Sequence, residues 1–190
     1  MKIRNKLESD KIIIESGINY IPFINVFNVD EAIKAAHNIP EPIGFRAKKS
    51  FGGNVIGNMT RKQALSYIRT QKDFSFPYSV YQDNRAIGDF LIYQGEIQLH
   101  KDGTMCGIYC NVPGIINRYA VLHSEAIHFG MYYNSPYPQK EVNWGWRPVR
   151  LIVDYLCKYN IIGPVVEFSY FTTPLGIKNE PIVIWEIRNY

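Results

Sequence analysis

Along this chain the spacing of apolar positions switches repeatedly between a helical and a strand period, with Gly, Pro, Asn and Asp at the switches. Residues 5–16 (NKLESDKIIIES) predict a helix ended by Gly17, which suits a left-handed C-cap. IPFINVFNV predicts a strand. Asp30 is the expected N-cap of a helix DEAIKAAHNI with one apolar face, stopped by Pro40 and Pro42. A strand carrying Arg46, a glycine-bearing loop and a return strand follow, and Thr60 can cap a short amphipathic helix, TRKQALSYIRT. PYSVYQDN reads as a strand running into a polar segment. AIGDFLIYQGEIQLHKDGTMCGIYCNV alternates like a meander with turns at Gln94-Gly95 and Asp102-Gly103. Pro113-Gly114 marks a further turn, residues 115–129 fit strand or helix, and SPYPQKEVNWGW is an aromatic loop suited to covering a pocket. From Trp146 the order is helix, tight turn at Gly163-Pro164, strand, loop and final strand. The expectation is an α+β chain of two lobes, residues 1–75 and 76–190, with no flexible tether and no internal repeat.

Two features break the apolar pattern. Glu167 and Glu186 sit in the last two strands among apolar neighbours, where a buried carboxylate is costly unless a cation meets it. Paired acids on paired strands suit a divalent metal; the competing reading places both on a solvated sheet face. Upstream, Arg46, Lys48 and Lys49 precede Phe51-Gly52-Gly53. Cations beside a turn whose backbone amides can approach a ligand closely suit polyphosphate, and the glycines suit a closing lid; a plain basic hairpin tip has the same composition. No Walker-type phosphate loop occurs.

Composition changes little. The 190 residues suffice for a real core, and 46% hydrophobic and 20% charged content is ordinary for a globular protein. The formal charge of +4 is too small and dispersed for a nucleic-acid surface built on tyrosine stacking, although it tolerates an anionic ligand. There is no apolar run of membrane-spanning length and no signal-peptide core, so a cytoplasmic protein without membrane partners is expected. The three cysteines, Cys106, Cys110 and Cys157, are expected as reduced thiols. With His123 and His128 the first two have no zinc-finger spacing.

The segment GINYIPFINVFNVDEAIKAAHNIPEPIGFRAKKSFGGNVIGN resembles the first lobe of the ATP-grasp ligases, with its "G-I-x-x-P" strand, its "D-E-A-x-x-A-A" helix and a cationic strand before a glycine lid. YSVYQDN is similar to the hinge strand of that family, and IIGPVVEFSYF…IVIWEIRNY to its two closing acidic strands. The lid KSFGG is similar to that of a phage-rich branch. The resemblance implies ATP and magnesium as cofactors, bound in a cleft between two α+β lobes. It implies phosphate contacts from Arg46 and from Lys48 or Lys49, a lid at Gly52 and Gly53, and a further nucleotide-site lysine at Lys11, although Lys11 lies closer to Gly17 than the family's pattern has it. Tyr81 and Gln82 would offer backbone groups to adenine, Asp83 would reach the ribose, and Arg118 would steady a transferring phosphoryl group. Glu167 and Glu186 would bind the metal, with Asn189 as a further ligand.

The implied chemistry activates a carboxylate as an acyl phosphate for attack by an amine or similar nucleophile. It asks nothing of a nucleophilic Ser, Cys or His. Two departures bear on it. The family ends E-I-N-P-R, whereas this chain ends Glu186-Ile187-Arg188-Asn189-Tyr190, so Arg188 stands at the metal-ligand position and Asn189 comes one residue late. A one-residue shift in a strand turns a side chain to the other face. The α/β domain that precedes the fold in the family is also missing, which implies a reduced member, a subunit completed by a partner or a second copy, or a fragment. The alternatives are a nucleotide-binding module without catalysis and a dikinase-like phosphotransferase, whose last strand can carry an acid and an arginine.

Overall fold

The computed structural model describes residues 3, 5–48, 55–70, 76–83, 91–101, 104–110, 127–132 and 146–189. Helix α1 (Lys6–Ser16) starts under Asn5, whose side chain accepts from the Glu8 amide, and ends at Gly17 with φ 66°. Its buried positions are Lys6, Ser9, Asp10 and Ile13, one stripe at helical spacing, and three of the four are polar. Strand β1 (Phe23–Val26) leads to α2 (Val29–Asn38). The N-cap of α2 is Asn28 and not Asp30, because Asn28 takes the extended conformation and accepts from the Glu31 amide. Glu31 closes the cap by accepting from the amide of Phe27 and the side chain of Asn28, while Asp30 falls in the first turn. Strands β2 (Ile43–Ala47) and β3 (Val55–Met59) precede α3 (Arg61–Thr70). Thr60 does cap α3, and Gln63 answers it with an oxygen 2.9 Å from the Thr60 amide.

Strand β4 (Tyr78–Gln82), expected as a link to the second lobe, is a central strand of the first sheet, in the order β1-β4-β2-β3. All its pairings are antiparallel. α2 and α3 cover one face, burying Ala32, Ala35, Ala36, Ala64 and Ile68 against Val26, Phe45 and Val80.

The second sheet runs β7-β6-β5-β8-β9, from β5 (Leu91–Leu99), β6 (Thr104–Cys110), β7 (Ile127–Tyr132), β8 (Val165–Leu175) and β9 (Glu180–Arg188). Gln94-Gly95 is not a turn: both residues lie inside β5, paired with Cys110 and Tyr109. The expected turn at 102–103, the segment 111–126 and the loop 135–145 lie outside the described residues. Helix α4 (Trp146–Lys158) and α1 cover this sheet, so that Ile13, Ile152 and Leu156 pack on Ile97, Phe168, Ile184 and Ile187.

Two devices aim the last hairpin. Register places Glu167 opposite Glu186, but the next pair is Phe168 with Ile184, so Trp185 is an extra residue in β9. This bulge allows Ile182, Ile184 and Ile187 all to reach the same apolar core while turning Glu186 to the other face. At the far end the fully buried Asn19 holds the turn. Its Nδ2 lies 2.8 Å from the carbonyls of Leu175 and Ile182, and its Oδ1 accepts from the Lys178 amide at 2.9 Å. Gly176 (φ 78°) is required there, since a Cβ would come within 2.4 Å of Asn19 Oδ1.

Candidate functional site

The two sheets meet at a small apolar contact of Ile21, Tyr81, Phe171 and Val183, flanked by Phe23 and Trp185. Gly44 makes room for it, because a Cβ there would stand 2.7 Å from the Tyr81 ring. Beside this contact lies a buried group of charges drawn from both sheets and from α1.

Arg46, on β2 of the first sheet, reaches across to the second. Its guanidinium pairs closely with Glu186, lies 3.4 Å from Glu167 Oε2 and donates to the Trp185 carbonyl at 3.0 Å. Burial opposes its charge, yet Glu167 and Glu186 more than offset this and hold its pKa above the ordinary arginine value. Glu96 on β5 is paired in register with Glu167, which is paired with Glu186, so three carboxylates form a row across adjacent strands. Arg188 closes the row: it pairs closely with Glu96 and lies 3.7 Å from Glu186 Oε1. That oxygen is buried without a hydrogen-bond partner.

From α1, Lys6 Nζ donates to the Ala47 carbonyl at 3.3 Å. Burial and then the charge of Arg46 lower its pKa, against the opposing pull of Glu186, Glu167 and Asp10. Lys48 Nζ sits 2.7 Å from Asp10 Oδ1 and 5.1 Å from the centre of the Phe23 ring. Its pKa is lowered to about 8, chiefly by burial, with Asp10 resisting and Arg46 assisting. Asn25 donates to the other Asp10 oxygen at 3.2 Å and accepts from Ser79, and the Ser9 hydroxyl accepts from the Ile187 amide at 2.7 Å. The group thus balances Glu96, Glu167, Glu186 and Asp10 against Arg46, Arg188, Lys6 and Lys48.

The structure brings together Arg46, Lys48, Glu167 and Glu186 of the expected site. It does not bring Lys11, whose side chain is 72% exposed on the outer face of α1 and pairs with Glu15. Lys6, one turn earlier on the opposite face, is the α1 lysine at the cluster. Tyr81 lies between β1 and β2 with ladder partners on both sides, so its backbone is inside a sheet and not at a free hinge edge. Gln82 donates through its side chain to the Glu41 carbonyl. Asp83 is buried and accepts from the Asn58 amide at 2.9 Å, which anchors β3 where its register shifts. Asn189 follows the end of β9, half-buried. Lys49, Gly52, Gly53 and Arg118 lie outside the described residues. Sequence reasoning missed Lys6, Asp10 and Glu96. The polar stripe of α1 is the signal that could have found the first two. Nothing local marks Glu96, since only strand register sets it beside Glu167.

Hard carboxylate oxygens on neighbouring strands are the donors magnesium takes. Glu167, 31% exposed, and Glu186 each direct Oε2 at the same Arg46 nitrogen, so this pair of oxygens fits such an ion once Arg46 withdraws. Among the described residues no three Asp, Glu, His or Cys side chains are grouped to hold a metal. No described helix is long and apolar enough to cross a membrane.

No family model and no curated protein matches this chain. Solved structures do. An N5-carboxyaminoimidazole ribonucleotide synthetase in complex with ADP matches over 100% of this chain and 46% of its own, with a TM-score of 0.58 and 10% identity. The corresponding synthase of Aspergillus clavatus, with ADP and its ribonucleotide, matches over 98% and 44% at 0.54 and 13% identity. The biotin carboxylase domain of the Hydrogenobacter thermophilus 2-oxoglutarate carboxylase, in complex with MgADP, ADP and bicarbonate, matches over 97% and 39% at 0.53 and 13% identity. The chain spans less than half the length of each of these three structures.

Proposed function

We propose that this chain, which has the ATP-grasp fold, binds ATP with magnesium at the junction of its two sheets and serves ligase-type chemistry. In that chemistry a carboxylate is activated as an acyl phosphate and an amine or similar nucleophile displaces the phosphate. The observation that carries the reading is the meeting of Arg46 from one sheet with Glu167 and Glu186 from the other. Nucleotide complexes of the similar synthetases and carboxylase domain agree with it.

In this reading Glu167 and Glu186 hold the metal, which when bound neutralises phosphate charge. Arg46 turns from the carboxylates to the phosphates and keeps a partner throughout. Lys48 and Lys6 face the same anion, and the lid residues Lys49, Gly52 and Gly53 close over it. Arg118 steadies the transferred group. Gln82 and the end of β4 border the base. The acceptor substrates are a carboxylate and a nucleophile.

Because the charge group is already balanced, neither bare metal nor bare nucleotide enters it favourably, and the two together replace what each displaces. Thermal shift tests this. ATP with magnesium should stabilise the chain by several degrees, and either alone by much less. Glu186→Gln should remove the magnesium dependence. An absence of any shift at millimolar ATP with magnesium would overturn the proposal. A second reading, nucleotide binding without catalysis, is favoured by Arg188 standing between Glu96 and Glu186. It predicts the same shift with no ATP turnover in the presence of any carboxylate and amine pair.

A further inference from the structure

The row Glu96–Glu167–Glu186 contains two positions bridged by an arginine, and they are not equivalent. Arg46 bridges Glu167 and Glu186, and Arg188 bridges Glu186 and Glu96. We infer that the site takes one divalent cation, at Glu167 and Glu186, and that Arg188 is a built-in cation closing the Glu96 side to metal. This rests on the nucleotide-site reading above and goes on to fix its metal count.

The two arginines differ in access and in the partners open to them. Arg46 arrives from the opposite sheet, and its partner Glu167 is partly exposed. It can leave by a change of rotamer or by a small opening of the sheets, and an incoming phosphate gives it a new partner. Arg188 belongs to β9 itself, two residues from Glu186, and its side chain is 6% exposed against a Glu96 side chain 11% exposed. Its neighbour on β8 is Val165, an apolar residue. A guanidinium that left Glu96 would remain in the same buried place and give up its closest carboxylate, keeping only the longer 3.7 Å contact with a Glu186 that Arg46 already pairs, so the pair stays closed. A second metal between Glu96 and Glu186 would stand beside that fixed positive charge. Glu186 therefore serves both positions: Oε2 faces the exchangeable Arg46 and Oε1 faces the permanent Arg188.

The experiment is equilibrium dialysis of the full chain against Mn2+ and the β,γ-imido analogue of ATP. Bound Mn2+ is counted from the loss of free-ion EPR signal, and nucleotide from absorbance in the same sample. The expected result is one Mn2+ per bound nucleotide. Glu167→Gln should weaken Mn2+ binding at least tenfold, and the paired variant Glu96→Gln/Arg188→Met should still bind one. That pair is removed as a unit, so no lone charge stays buried and the variant keeps its fold; circular dichroism checks this. Two Mn2+ per nucleotide in the wild-type chain overturn the inference, as does nucleotide bound without Mn2+. A folded paired variant that loses Mn2+ as Glu167→Gln does overturns it too. If neither nucleotide nor Mn2+ binds, the nucleotide-site reading fails and takes the inference with it.

Discussion

Replacing Arg46 by methionine removes a guanidinium from the junction while keeping most of its aliphatic length. At 3.4 Å its attraction to Glu167 amounts to about 5 kcal/mol at an effective dielectric near 20, and the closer contact with Glu186 is at least as strong. Desolvation of the arginine, several kcal/mol, returns a large part of this. What the variant leaves behind decides the outcome. Glu167 and Glu186 are register partners, with Cβ atoms about 5 Å apart. Like charges at that spacing repel by roughly 3 kcal/mol at the same dielectric. Arg46→Met should therefore destabilise the chain by about 3–4 kcal/mol, within the span found when one partner of a buried ion pair is removed. With a urea slope near 2 kcal/mol/M, the unfolding midpoint at pH 7 should fall by about 1.5–2 M. Adding Glu186→Gln should restore part of the loss, giving a coupling of at least about 1 kcal/mol in a double-mutant cycle. A loss under about 1 kcal/mol, or strictly additive variants, would refute the claim that this arginine neutralises the glutamate pair.

Asn19→Ala should cost at least about 3 kcal/mol, because it strips partners from buried carbonyls at both ends of the β8–β9 turn; chemical denaturation measures the loss, and Asn19→Asp, which has no donor for those carbonyls, should be no milder. Lys48 gives a pH signature. Its folded pKa, about 8, lies below the ordinary lysine value of 10.5, so between those values the unfolded chain binds more protons and stability rises with pH. Its contribution is lowest below pH 8 and fully recovered above about 10.5, with an upper bound of roughly 3 kcal/mol. The urea midpoint of the wild-type chain should accordingly gain on that of Asp10→Asn/Lys48→Met as pH rises through this window. A gap that stays constant or narrows would remove the buried-lysine argument.

Much of the local structure was legible. Gly17 and Thr60 announce their helix ends because capping is settled by a few adjacent residues. The closing pattern from Trp146 to Arg188 declares helix, turn, strand and strand because its apolar periods are strong. Where two caps compete locally a short window does not decide between them: Asn28 and Asp30 are both good N-caps, and the winner is the one that Glu31 can answer. Gln94-Gly95 has the composition of a turn, yet β6 and β8 on either side hold it extended. Propensity is a weak prior against two ladders of hydrogen bonds.

The candidate site divides along the same line. By itself the sequence determined the types of group present: a cationic strand at Arg46 and Lys48, two acids in apolar strands, and an arginine at position 188. Those belong to single elements, and single elements obey short-range rules. Only the tertiary structure decided that Lys6 and not Lys11 enters the cluster, that Glu96 stands beside Glu167, and that Arg46 crosses from one sheet to the other. A helix face, a strand register and a contact between sheets depend on residues far apart in the chain, and no local window holds both partners. The bulge at Trp185 is the plainest case, since one extra residue in β9 takes Glu186 off the apolar face and gives it to the junction.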